Sequence, residues 1–106
     1  MNNAGPAVYI PGMRVVVSES AAGQIQEEGG RLYVWLKQSR CCGAATRLAA
    51  SSTAPPDRRF RRVEGFDRFE LYVPERLGRL PDELHLESKR WPRRVEAYWD
   101  GCAWVV

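Results

Sequence analysis

After one stretch of helical spacing, the apolar residues of this chain recur at every second position, and that alternation constrains the fold more than any other feature. Leu32, Val34 and Leu36 share one face of an extended segment, and Phe69, Leu71 and Val73 share another. Leu84 and Leu86 alternate with Glu83, His85 and Glu87, while Val95, Ala97 and Trp99 alternate with Arg94, Glu96 and Tyr98. Successive side chains of a strand point to opposite faces, so each segment offers one apolar face to a core. The helical stretch comes earlier. Ser18 is a good N-cap with Glu19 in the first turn, Ala21, Ala22 and Ile25 share a face, and Gln24, Gln26, Glu27 and Glu28 are polar. Gly29-Gly30 ends that element, and Arg14-Val15-Val16-Val17 before it reads as a short strand. The expected fold is α+β, mostly β, with one packed N-terminal helix.

The 106 residues are expected to form one domain over 13–106, after a loose leader over 1–12 that contains Gly5, Pro6, Pro11 and Gly12. Residues 49–56, small and proline-rich, read as a mobile surface loop. Asp100-Gly101 is a tight-turn signal, expected to fold Ala103-Trp104-Val105-Val106 back against Val95–Trp99 with Cys102 at the hairpin's entrance. Met1-Asn2-Asn3 lacks a basic leader region, Ala7-Val8-Tyr9-Ile10 is too short for a secretory core, and no apolar run reaches transmembrane length. Three cysteines cannot all pair internally, so the expectation is a cytoplasmic, reducing setting without a membrane partner.

The chain carries 16 basic and 13 acidic residues, a net charge of +3. Arg58-Arg59-Phe60-Arg61-Arg62 and Lys89-Arg90-Trp91-Pro92-Arg93-Arg94 interleave cations with aromatic rings, as single-stranded nucleic-acid grooves do. Asp57, Glu64, Asp67, Glu87 and Glu96 lie among them, which weighs against a nucleic-acid partner and for a solvated sheet edge protected by charge. His85, the single histidine, is expected to point away from Leu84 and Leu86 into solvent, which leaves little for Cys-His catalysis or a four-ligand zinc site. No phosphate-cradling glycine loop is present, which argues against a nucleotide-dependent enzyme.

The chemistry-bearing feature is Cys41-Cys42-Gly43 after the strand-like run Arg31–Gln38. Consecutive Cα atoms lie about 3.8 Å apart, below the roughly 4.4–6.8 Å of bridged cysteines, so a Cys41–Cys42 disulfide would be strained and reducible. Two arrangements follow: one reactive thiol backed by a buried one, or a paired thiol site formed by a turn at Gly43. Lys37, Arg40 and Arg47 nearby stabilise a thiolate, which is both nucleophile and metal ligand. The competing reading is that free cysteines are often small buried hydrophobes. If the strand stays extended through Arg40, the alternation turns Cys42 inward with Leu32, Val34 and Leu36, and Cys41 outward.

The order of strand, Ser18-Glu19-Ser20-Ala21-Ala22 helix, Gly29-Gly30, long strand and Cys41-Cys42-Gly43 resembles the HesB-like, or A-type iron–sulfur carrier, family. That family has a Thr/Ser-x-x-Ala helix start and a Cys-Ser-Gly after the next strand. Cys41 and Gly43 match its cysteine and glycine, and Cys42 stands where serine is usual, similar to the branch with a Cys-Cys or selenocysteine-containing pair. Glu64-Gly65 and Leu71-Tyr72-Val73-Pro74 extend the likeness over residues 13–77; of the family's Cys-Gly-Cys tail only Cys102 has a counterpart. The resemblance implies a compact half-barrel with one packed helix and a non-catalytic site for iron, an iron–sulfur cluster or another soft metal. Cys41 and Cys42 are then the ligands and Cys102 a third candidate, with a cluster bridging a homodimer and iron–sulfur or thiol-redox proteins as partners. The residues alone leave two alternatives open. One is a redox thiol protein in which Cys41 attacks and Cys42 or Cys102 resolves. The other is a nucleic-acid-binding module with incidental cysteines.

Overall fold

A computed structural model describes residues 7–10, 13–36, 46–64, 66–79, 81–90, 93–100 and 104–105. Strand β1 (Ala7–Ile10) pairs antiparallel with β2 (Met13–Val17), whose Met13, Val15 and Val17 are buried while Arg14 and Val16 face the other way. The alternation of β-branched residues suits a pleated, half-buried strand. Helix α1 (Glu19–Glu27) follows directly. Ser18 stays extended, and its Oγ accepts the Ala21 N–H at 3.2 Å, which satisfies one of the helix's free donors. Gly29 and Gly30 end the helix at φ +118° and +79°, and the Gly30 N–H donates back to the Ile25 carbonyl at 2.9 Å. Those angles are open to glycine at little steric cost, so the Gly-Gly pair reverses the chain at once into β3 (Arg31–Leu36).

The remaining elements are all strands among the described residues: β4 (Thr46–Ser51), β5 (Phe60–Arg62), β6 (Glu70–Pro74), β7 (Leu77–Arg79), β8 (Glu83–Arg90), β9 (Arg93–Asp100) and β10 (Trp104–Val105). Eight form one mixed sheet in the order β1-β2-β8-β9-β4-β3-β6-β5, and β10 pairs with β7 in a second. The β2–β8 and β3–β6 pairs are parallel. The sheet curls as a half-barrel, and α1 packs against β8, β9 and β3. Ala21, Ala22 and Ile25 thereby join a core of Val15, Leu32, Leu71, Leu86 and Trp99. The fold is α+β and mostly β, as the alternation requires.

Four differences from the sequence reading have clear physical origins. Part of the segment expected as a loose leader is β1, held by pairing to β2 along Ala7–Ile10. The segment expected as a mobile loop from Ala49 begins as strand: β4 runs to Ser51, with Leu48 buried, between β3 and β9. Small residues at an interior strand leave no alternation to read. The expected hairpin of Ala103–Val106 on Val95–Trp99 does not form, because β8 and β4 already occupy both edges of β9; Trp104 and Val105 pair with β7 instead. Gln24, expected on the polar side, is buried, and its amide donates to Glu28 Oε2 at 3.2 Å. The Arg58–Arg62 cluster fits the expected sheet edge, since β5 is the outermost strand on its side.

Candidate functional site

Cys41, Cys42 and Cys102 lie outside the described residues, and so does the division into an outward Cys41 and an inward Cys42. What is described is the scaffold on either side of the vicinal pair. β3 and β4 run antiparallel with Leu36 opposite Leu48 and Trp35 opposite Ala49, and residues 37–45 connect them in sequence. Both are interior strands: β3 pairs with β6 on its other edge, and β4 with β9.

The described residues hold one group of metal-ligating side chains, on the sheet face away from the core. Glu83 is opposite Asp100 and His85 is opposite Tyr98 in the β8–β9 register, and β2 sets Arg14 beside Glu83. His85 does turn away from Leu84 and Leu86, but it is not free in solvent. Its side chain is only 20% exposed, its ring lies flat on Tyr98, and its Nε2 is 3.0 Å from Glu83 Oε1 and 3.6 Å from Asp100 Oδ2. Arg14 Nη1 donates to the second Glu83 oxygen at 3.0 Å. The expectation of a solvated histidine fails because neighbouring strands supply an aromatic plane and two carboxylates. Glu83 and His85 stand two apart on one strand, which was legible; Asp100 and Arg14 arrive only through strand pairing.

Burial first, and then the Glu87 carboxylate, push the Tyr98 phenol above its ordinary titration range. Tyr98, His85, Arg14, Val16, Ser18 and Glu87 border a hollow of about 270 Å³. Glu83, His85 and Asp100 can each offer one ligand atom, all within 4.8 Å of one another. The set is oxygen and imidazole, unlike the thiolates that iron–sulfur clusters take, and the Arg14 guanidinium already engages Glu83 and repels a cation. As it stands, the group is a polar network joining β2, β8 and β9, with Arg14–Glu83 as its ion pair.

Among the described residues no helix is long and apolar enough to cross a membrane. In comparisons with known proteins, no family model matches this chain, and no curated protein or solved structure matches it.

Proposed function

We propose that this chain is a non-catalytic thiolate-site protein, HesB-like in plan, that carries iron, an iron–sulfur cluster or another soft metal on Cys41 and Cys42. The observation that carries the reading is Cys41-Cys42-Gly43 in the connection between two interior strands. The strand ends that flank the connection are each anchored by pairing, Leu36 to Leu48 in β4 and Thr46 to Trp99 in β9, and sites built on strands of a scaffold are held more precisely than sites on free loops. Further support comes from the motif order. The Ser-x-x-Ala start has a physical role as the Ser18 cap on the Ala21 N–H, and Gly29-Gly30 turns the chain into the strand that leads to the thiols. The donor chemistry fits: thiolates select iron–sulfur species, zinc and copper(I). With few thiols per chain, a cluster would bridge two subunits of a symmetric dimer, and Cys102 is the third candidate ligand. Iron–sulfur and thiol-redox proteins are the partner classes this chemistry serves.

Anaerobic reconstitution with ferrous iron and sulfide tests the reading. The expected product is coloured, contains bound iron, and is lost in Cys41→Ser and Cys42→Ser. A colourless product without iron overturns it; a defined, reversible disulfide after mild oxidation of that iron-free protein would assign the thiols to redox exchange instead.

A further inference from the structure

On the outer face of the sheet, away from the core, one row of residues from each of β5, β6 and β3 comes together through the registers Arg62 to Tyr72, Phe60 to Pro74, Tyr72 to Tyr33 and Glu70 to Arg31. Four aromatic rings gather there. Tyr33 and Tyr72 stack at 4.6 Å, and Phe60 meets Tyr33 edge-on at 5.1 Å and Trp35 edge-on at 6.0 Å. All four are only half-buried. The Arg58 guanidinium lies 5.9 Å from the centre of the Trp35 ring, and the exposed Arg31 and Arg62 share the face of the rings through their registers with Glu70 and Tyr72. One carboxylate lies within this positive rim: Glu70 accepts the Tyr72 hydroxyl at 2.7 Å and is held below its ordinary range, by that hydrogen bond first and by Arg31 and Arg62 after it, so it stays ionised and offsets part of the positive charge.

A charged sheet edge accounts for Arg61, which pairs with Val73 and so belongs to the opposite face. It does not account for the rings. The core has its own aromatic residues in Trp99, Phe66 and Phe69, so those on the outer face are not needed to fill it. On the β4 side the rings meet small neighbours, Tyr33 opposite Ser51 and Trp35 opposite Ala49. Next to them, between β4 and β9, lies a shallow depression of about 360 Å³ bordered by Ala49, Arg94 and Glu96. Stacking surfaces rimmed by guanidinium groups are what unpaired bases and phosphates require together.

We infer that the outer face of β5–β6–β3 binds single-stranded nucleic acid, with Tyr33, Trp35, Phe60 and Tyr72 stacking on bases and Arg31, Arg58 and Arg62 contacting phosphates. A second copy of the chain fits this face less well, since a two-fold contact would bring the same arginines against each other. A duplex keeps its base faces stacked internally and offers only phosphates. The site is independent of the thiols, so it stands or falls apart from the metal reading.

Fluorescence anisotropy of the full chain with short labelled oligouridylate, oligothymidylate and duplex probes tests the inference. Single strands should bind at low salt with a log–log salt slope of about −2, as about three phosphate contacts give, and more tightly than duplex. Tyr72→Leu and Trp35→Leu should each weaken binding about tenfold or more by removing a stacking surface. Arg62→Ala should reduce the salt slope by about 0.7 while Arg61→Ala, equal in charge but on the opposite face, leaves it unchanged. Both arginines are exposed, so this pair decides the matter even if a ring variant fails to fold, as circular dichroism would reveal. The inference is overturned by no binding at low salt, by equal affinity for duplex, or by equal losses from the two arginine variants. A dimer that dissociates in Tyr72→Leu and ignores oligonucleotides would also overturn it and assign the face to a second copy.

Discussion

His85 lies flat against Tyr98, ring centroids 4.7 Å apart and planes 5° from parallel, because β8 and β9 set the two residues directly opposite each other. The stack fixes the imidazole plane, and that plane aims Nε2 at Glu83 and Asp100. His85→Ala removes both the stack and the hydrogen bond while leaving the two carboxylates facing each other. The expected cost is about 1 kcal/mol by urea unfolding, the scale of a cross-strand aromatic pair. An unchanged midpoint would mean that the network contributes nothing to the fold.

Alkali should act through Tyr98. Burial and the Glu87 carboxylate raise this phenol above the ordinary tyrosine value of 10.0, so the fold favours its neutral form. That preference contributes stability that is whole below about pH 10 and is lost as pH rises through the raised value. Unfolding free energies across the alkaline range should therefore fall less steeply in Tyr98→Phe than in the wild type. Parallel curves for the two proteins would contradict the assignment.

Two glycines of the same helical segment should respond oppositely to alanine. Gly23 is exposed inside α1, and a methyl group there meets nothing within 4 Å, so Gly23→Ala should stabilise by about 0.5–1 kcal/mol. Gly29 has equally open surroundings but sits at φ +118°, where an L side chain is strained. Gly29→Ala should destabilise by about 1 kcal/mol or more, through the backbone and not through contact. Thermal unfolding of the two variants gives the sign of each directly.

Limited alkylation bears on the thiol reading. On the alternation that buries Leu32 and Val34, Cys41 is the outward sulfur, and reagent should label it before Cys42 and Cys102. Mass spectrometry of the digest reads the order, and first labelling at Cys42 would reverse the assignment.

Much of the scaffold was legible because its signals are local. The Ser18 cap, the Ala21-Ala22-Ile25 face and the Gly29-Gly30 stop depend on residues a few positions apart, and all three stand in the structure. The same holds for the inward faces of β3, β6, β8 and β9, where Leu32, Val34, Leu71, Val73, Leu84, Leu86, Val95, Ala97 and Trp99 are buried. β4 was hidden in part because its interior position is filled by Ala49 and Ala50, whose small side chains carry no pattern. His85 was misjudged for a related reason: its environment is made by Tyr98, Asp100 and Glu83, and two of those belong to another strand.

The sequence by itself determined the helix and the strands that carry a clear alternation, and which side of each faces the core, since a period of two or of 3.6 is written in neighbouring residues. Only the tertiary structure decided which strands lie side by side. Arg14 meets Glu83 across 69 residues of chain, Trp104 pairs with Arg79 because both edges of β9 were taken, and Tyr33, Tyr72 and Phe60 become one surface only when β3, β6 and β5 align. Strand partners are selected by the competition of all edges for hydrogen bonds within one closed core, and no local stretch of the chain contains that competition.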